Sequence, residues 1–243
     1  MFISALGLQA QLQNGYYLPF YLGYSNQVVK DASLSPVSYS GSLGSIASGF
    51  THQGKNWIDG LTVLGHSGIL RSDIAPEEAS NVLLVGARVS YKIARRFATI
   101  SGFELYAGLS SISSWDYREV GRYANNSFNF NGFFSLGPYV STQKNFELWG
   151  QQFNMQYELS LPVASYVLRP SYIKPQTGGD FGYSGIESWG DFFQVDSKCS
   201  LFWQISEQNY LCLSYQWEYT QLNLPNKIQL AQHFIGLSTI TRL

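Results

Sequence analysis

From Leu83 to Ile93 the chain alternates without a break. Leu83, Val85, Ala87, Val89, Tyr91 and Ile93 fall on one face, and Leu84, Gly86, Arg88, Ser90 and Lys92 on the other. A period of two is the mark of a β-strand lying between two different environments. The same alternation recurs along the chain. Phe103, Leu105, Ala107 and Leu109 alternate with Glu104, Tyr106, Gly108 and Ser110, and Phe128, Phe130, Phe134, Leu136 and Val140 with Ser127, Asn129, Asn131 and Ser135. Phe153, Met155, Tyr157 and Leu159 oppose Gln152, Asn154, Gln156, Glu158 and Ser160, and Val195, Cys199, Leu201 and Trp203 oppose Asp196, Lys198 and Ser200. Leu211, Leu213, Tyr215, Trp217 and Tyr219 oppose Cys212, Ser214, Gln216, Glu218 and Thr220. Weaker patterns over 16–29, 37–50 and 57–70 predict three further strands. Pro19 inside the first of them marks an edge or a bulge.

The turns alternate in length. Short ones are predicted near 51–55, 95–96, 142–145 and 206–208, and longer ones near 30–36, 71–81, 114–126, 174–188 and 221–227. At Leu161-Pro162 the parity breaks: beyond it Ala164, Tyr166, Leu168 and Tyr172 are the apolar set, against Ser165, Arg169 and Ser171. A one-residue slip reverses every side chain, so Pro162 is either a bulge inside one crossing or a hairpin turn. A bulge gives ten strands with a strict short–long alternation; a hairpin gives twelve. A turn centred on Arg96 would set Arg88 opposite Glu104 as a lumenal ion pair. The turn at 206–208 would place Lys198 diagonal to Glu218.

Composition sharpens this picture. Aromatic residues make up 16% of the 243 residues and charged residues only 13%, against about 25% charged in an ordinary soluble domain. Mean hydropathy is nonetheless close to neutral, −0.09, because Ser, Thr, Asn, Gln and Gly supply the polarity. No run approaches the roughly 18 apolar residues of a membrane helix, so a membrane-spanning chain of this kind must be a closed barrel. A soluble β-sandwich or lipocalin-like barrel also alternates. It would have little use for so many outward Trp, Tyr and Phe, which suit interfacial girdles. The net charge of −1 leaves no nucleic-acid footprint.

The last strand, Phe234 to Leu243, has Ile235, Leu237, Thr239, Thr241 and Leu243 on one face and Gly236, Ser238 and Arg242 on the other, with Ile240 as the exception. It resembles the closing strand of bacterial outer-membrane β-barrels, although that family usually ends in Phe, Trp or Tyr rather than Leu243. With the Leu-Ser-Leu-Pro segment at 159–162, the chain looks like small Gram-negative outer-membrane barrels, of the Bacteroidota type. The resemblance implies an all-β, antiparallel, up-and-down transmembrane barrel over 11–243, located in the outer membrane. Its implied partners are outer-membrane lipid and the barrel-assembly machinery during insertion. Residues 1–10 read as the remnant of a secretory signal peptide, with cleavage after Ala10, or as a lead-in to the barrel. No cysteine lies near them to carry a lipid anchor.

Candidate chemistry is sparse. Cys199 and Cys212 fall on opposite faces, which excludes a disulfide. His66-Ser67-Gly68 invites a hydrolase reading, but adjacent strand residues point to opposite faces, and no Gly-x-Ser-x-Gly elbow is present. Asp73, Glu77, Glu78 and Asp116 read as solvated loop acids without a calcium-loop pattern. Gly178, Gly179, Asp180 and Gly182 precede no helix and make no phosphate cradle. No cofactor or metal is implied, and nothing calls for an enzyme. The informative set is the inward one: Arg88, Lys92, Glu104, Glu158, Arg169, Asp196, Lys198, Glu218 and Arg242. These charges either line a narrow porin-like path for small polar solutes or cross-link a plugged barrel whose loops bind a surface ligand. An outer-membrane lipid hydrolase, requiring His66 or His233 beside a serine and an acid, is the third alternative.

Overall fold

The computed structural model describes residues 14–32, 37–74, 81–120, 128–169 and 182–243. Residues 1–10, Glu77-Glu78, Gly178-Gly179-Asp180 and most of the longer loops lie outside these. Among the described residues there are twelve strands: β1 (Gly15–Asp31), β2 (Ser38–Gln53), β3 (Trp57–Arg71), β4 (Asn81–Ile100), β5 (Phe103–Val120), β6 (Phe128–Leu148), β7 (Gln151–Ser160), β8 (Ala164–Arg169), β9 (Tyr183–Ser188), β10 (Phe192–Gln204), β11 (Asn209–Leu222) and β12 (Ile228–Arg242). Each of β1 to β7 pairs antiparallel with the next, β7 pairs with β10, β10 to β12 continue the wall, and β12 pairs back onto β1. The result is a closed barrel of ten strands.

The two extra strands explain the parity break. Leu161 N donates to Pro138 O at 3.0 Å and Val163 N to Leu136 O at 2.9 Å, so the chain passes Pro162 while still paired to β6. The register moves from Tyr139↔Ser160 to Leu136↔Ala164, an offset of one residue. Pro162 is therefore a bulge, and β8 prolongs the crossing begun by β7. β9 pairs with β8 and leads down into β10; it forms a strand within the region expected to be a loop at 174–188.

Two hairpins are tighter than the sequence pattern implied. β4 runs unbroken through Arg95 and Arg96 to a two-residue turn at Ser101 (φ 53°) and Gly102 (φ 80°). β6 runs through 142–145 to a second at Trp149 (φ 52°) and Gly150 (φ 71°). Positive φ at both central positions is the hairpin geometry that matches strand twist. Likewise β5 continues to Val120, through half of the loop expected at 114–126.

The registers fix the shape. The hydrogen-bonded row leaving β1 at Gly15 runs through Gln53, Ile58, Ala94, Gly108, Tyr139, Ser160, Asp196, Glu218 and Gln232. It re-enters β1 at Gln27, twelve residues farther on. Ten strands with a stagger of twelve tilt by roughly 40° and enclose a backbone cylinder of about 10 Å radius. At that tilt the 20 residues of β4 rise ~50 Å, about twice the apolar band of an outer-membrane barrel.

The wall is polarised inside out. Leu22, Ile46, Val63, Val85, Leu109, Leu136, Leu213, Ile235 and Leu237 are exposed, whereas Ser25, Gln27, Ser135, Gln143, Asn154, Ser200 and Ser238 are buried in the lumen. Only lipid satisfies such a surface. Aromatic rings mark two rims. At the end of the short turns Tyr16 stacks on Phe50 (5.3 Å), Phe146 on Phe153 (5.7 Å) and Arg95 lies over Trp57 (5.7 Å). At the other end Trp115 meets Phe134 (5.5 Å) and Phe193 meets Tyr219 (6.1 Å). Short turns lie on the periplasmic side of such barrels, so β4, β5 and β6 rise beyond the lipid on the outside. On β2 the serine face points outward, and Tyr39 and Leu43 pack inward against Val29, Leu70, Val82 and Leu84.

The seam between β1 and β12 holds a close approach. Gly23 faces Gly236 in register, and the buried Phe234 ring lies across both. A Cβ on Gly23 would run into that ring, and one on Gly236 would stand 2.6 Å from it. Gly23→Ala is expected to cost about 1–3 kcal/mol through overpacking, read as a lower urea midpoint of tryptophan fluorescence for the refolded barrel. An unchanged midpoint would show that the ring can move aside.

Candidate functional site

The lumen gathers the charged side chains, and it does so in three tiers. All nine sequence-derived positions lie on inward-facing strand sites; their partners differ from those expected.

The middle tier crosses the barrel. Asp196 and Glu218 face each other in register on β10 and β11, a like-charge pair that repels if left alone. Arg88 reaches over from β4 and resolves the repulsion, with Nη2 on Asp196 and Nη1 on Glu218. Gln216 Nε2 donates to Asp196 (3.1 Å to each oxygen) and to Glu218 Oε1 (2.6 Å). Lys92, four residues below Arg88 on the same face of β4, pairs with Glu158 of β7, which also accepts from the Tyr139 hydroxyl. The pairing of Arg88 with Glu104 does not form. Because the hairpin turns at Ser101-Gly102, Arg88 sits opposite Ser114 and Glu104 opposite Thr99. Lys198 is diagonal to Glu218 in register, but its ammonium lies 5.0 Å over the Tyr21 ring rather than on that carboxylate.

The upper tier closes the outer mouth. Asp31 of β1 accepts from Arg169 Nη2 (2.7 Å) on one oxygen, and from Arg118 Nη1 (3.2 Å) and Asn129 Nδ2 (2.9 Å) on the other. Arg118 Nη2 also reaches Asp116 at 3.1 Å, and Arg169 Nε reaches Asn131 at 2.8 Å. Asp31, Arg118 and Arg169 are 2%, 0% and 3% exposed. All three charged side chains are thus almost wholly covered by the groups around them.

The lower tier surrounds Glu104, which accepts from Arg96 Nη1 (2.7 Å), Tyr106 (2.8 Å) and Gln143 (2.6 Å). Arg242 stands at the periplasmic rim, donating to Asn14 O at 2.9 Å. Beside it a pocket of ≈ 270 Å³ opens among Asn14, Lys55, Arg96 and Glu104.

The upper and middle tiers balance their own charge, whereas the lower one also carries Lys55 and Arg242. Asp31 and Asp116 offset Arg118 and Arg169; Glu158, Asp196 and Glu218 offset Arg88, Lys92 and Lys198; Glu104 offsets Arg96. Between the tiers, space is small. A cavity of ≈ 80 Å³ lies around Lys92, Glu158 and Lys198, one of ≈ 50 Å³ above it and another of ≈ 50 Å³ below. The first two share Leu64, Arg88 and Gln216 in their linings and the first and third share Lys92, Glu158 and Lys198, so the three adjoin one another along the lumen.

Sequence reasoning missed Asp31, Arg96, Asp116 and Arg118, having read them as loop or turn residues. Their parity was visible: Ser114, Asp116 and Arg118 alternate with Trp115, Tyr117 and Glu119 as in any strand. A hydrolytic His-Ser-acid set is not assembled among the described residues. His66 faces the lumen with Nε2 3.4 Å from Asp116 Oδ1. His233 bonds the Tyr215 hydroxyl at 2.7 Å, and His52 bonds Asp59 at 2.8 Å. Cys199 and Cys212 are both free thiols.

No protein-family model and no curated protein sequence matches the chain. Among solved structures it is similar to the outer membrane protease OmpT of Escherichia coli, with a TM-score of 0.54 at 9% identity, over 94% of this chain and 97% of that one. It also aligns with the β domain of the Bordetella autotransporter BrkA, at a TM-score of 0.45 and 10% identity, over 95% and 99% of the two chains. The OmpT likeness shows the fold: this is an outer-membrane-type β-barrel.

Proposed function

We propose that this chain is a closed barrel of the Gram-negative outer membrane, a rigid platform that presents its external loops, rather than a porin. The observation that carries the reading is the three-tier ionic cross-linking of the lumen. A conducting pore leaves charges solvated and usually unbalanced in sign, because an excess of one sign selects the ion. Here the upper and middle tiers pair opposite charges in equal number, the charges at the outer mouth are buried, and both tiers tie strands on opposite walls. Wall-to-wall pairs of this kind hold strands at fixed separation, so the parts of β4, β5 and β6 above the lipid stand on an undeformable base. Surface partners of those loops, lipid contacts along the wall and insertion by the assembly machinery belong to the same reading.

The rival is the narrow channel for small polar solutes, and it is tested directly. The purified chain inserted into a planar bilayer is expected to give no steady single-channel current at 1 M KCl, and proteoliposomes carrying it should not swell in small sugars. Insertion is verified by protease protection of the barrel. Reproducible current steps from the inserted wild-type protein would overturn the closed-barrel reading and restore the channel.

A further inference from the structure

The outer rim of the barrel differs from one side to the other. Along β5, β6, β8 and β10 it is aromatic, with Trp115, Phe134, Tyr166 and Phe193 turned to the outside. Along β12, β1, β2 and β3 no Phe, Tyr or Trp faces outward at that height. Asn26, Ser42 and Ser67 stand there instead, with Val28 and Ile69 among them. Above them come Lys30, Ser38, Ser40 and Arg71, all exposed, and the exposed Lys227 just before β12.

The registers bring the three cations together. Lys30 lies beside Ser38 of β2, and Ser40 lies beside Arg71 of β3. Ala32 N donates to Lys227 O at 2.9 Å, which carries the β1–β12 pairing one step on and sets Lys227 diagonal to Lys30. At this tilt each step along a row to the next strand climbs about 3 Å, and each residue along a strand about 2.6 Å. Lys227, Lys30 and Arg71 therefore stand within about 2 Å of one height, about 10 Å above the ring of Trp115, Phe134 and Phe193. The Lys30 Cα is about 8 Å from that of Lys227 and about 12 Å from that of Arg71. Their long stems let the charged heads converge on one group between them and reach down toward the lipid.

Among the described residues nothing answers these charges. Lys30, Arg71 and Lys227 make no ion pair, side-chain hydrogen bond or ring contact, and Asp73, exposed beyond Arg71, bridges none of them. The outward cations of the periplasmic end differ: Arg95 lies over Trp57 at 5.7 Å and Lys144 over Phe103 at 4.5 Å. We propose that this face holds the phosphorylated headgroup of an outer-leaflet lipid, with Lys30, Arg71 and Lys227 on its phosphate oxygens and the Ser38 and Ser40 hydroxyls as further donors. The Arg71 fork serves two oxygens at once, and the ammonium groups act as point charges. Cations beside a membrane surface draw anionic lipid. A lipid fits better than a free anion because the polar face runs downward into an exposed apolar one, Leu22, Ile46 and Val63, against which acyl chains lie. The site is on the outside of the wall and is independent of whether the lumen conducts.

The test uses the full chain refolded in dodecyl maltoside, with diphosphorylated lipid A as the probe and native mass spectrometry as the readout. One lipid A per barrel is expected to stay bound, at a concentration where phosphatidylcholine does not. Affinity should fall at least tenfold in the triple variant Lys30→Gln/Arg71→Gln/Lys227→Gln. The periplasmic pair Arg95→Gln/Lys144→Gln should bind as wild type, and millimolar inorganic phosphate should not displace the lipid. Folding of each variant is read from its gel mobility without heating. Failure of the folded wild type to retain lipid A, or equal retention of phosphatidylcholine, would overturn the proposal. Unchanged binding by the triple variant, or an equal loss in the periplasmic pair, would do the same. Displacement by inorganic phosphate would reject the lipid as occupant in favour of a free anion.

Discussion

Asp31→Asn is expected to destabilise the barrel by about 3–5 kcal/mol, the cost of leaving a buried charge without its partner. The side chain keeps its shape and loses its charge. Arg118 and Arg169, at 0% and 3% exposure, then face one another across an amide that can accept from only one of them well. The two guanidinium groups come from β5 and β8, and Asp31 from β1, so the loss is felt across the whole outer mouth. Urea unfolding of the refolded protein in lipid gives the number. Combining Asp31→Asn with Arg118→Met and Arg169→Met should recover most of the loss, since apolar groups of similar volume replace a buried ionic cluster at little net cost. A shift below about 1 kcal/mol, the range of exposed pairs, would mean that the arginines are solvated. The outer mouth would then be open to water.

Arg88→Met is expected to have an effect of similar size for a different reason. It strands two carboxylates, Asp196 and Glu218, side by side in register, with Gln216 as their remaining common donor. A loss of about 3–5 kcal/mol is anticipated from the unpaired buried charges. The triple variant Arg88→Met/Asp196→Asn/Glu218→Gln removes repulsion and strap together and should unfold close to wild type. Arg88→Lys should not rescue, because one ammonium cannot serve both carboxylates as the planar fork does. If Arg88→Met and the triple variant proved equally unstable, the guanidinium would be acting through its packing in the lumen rather than through its charge.

The wall of this barrel was legible in the sequence and its interior wiring was not. Period-two alternation located β4, β10, β11 and β12 and gave the facing of nearly every residue on them, and turn lengths with the slip at Pro162 gave ten strands. Partners were not legible because cross-lumen contacts do not follow register. Arg88 meets Asp196 and Glu218, 108 and 130 residues away, along chords fixed by strand number and stagger. Turn placement failed at Arg95-Arg96 for a local reason. Two basic residues looked like a turn, while the tighter signal, Ser101-Gly102, lay five residues on; Gly in such a pair supplies the positive φ that the turn needs. That error moved Glu104 from the floor of the lumen to its middle. Asp31 was lost to a loop because it stands at the last position of β1, where a charged residue beside a turn is ordinarily solvated.

The pairing of β1 with β12, fifteen register positions from Tyr17↔Arg242 to Asp31↔Ile228, joins residues about 200 or more positions apart. Loop-closure entropy makes such contacts slow to form. Until they do, the first and last strands are two bare edges able to template pairing with other chains. The nascent sheet therefore has no stable partial product: β1 must wait for the whole chain to emerge before its second row of backbone donors and acceptors is answered. The route to the native state is thus a race between ring closure and edge-to-edge aggregation. The bulk of Phe234 lying over Gly23 and Gly236 acts at the site where that race ends, as a peg that seats only in the correct register.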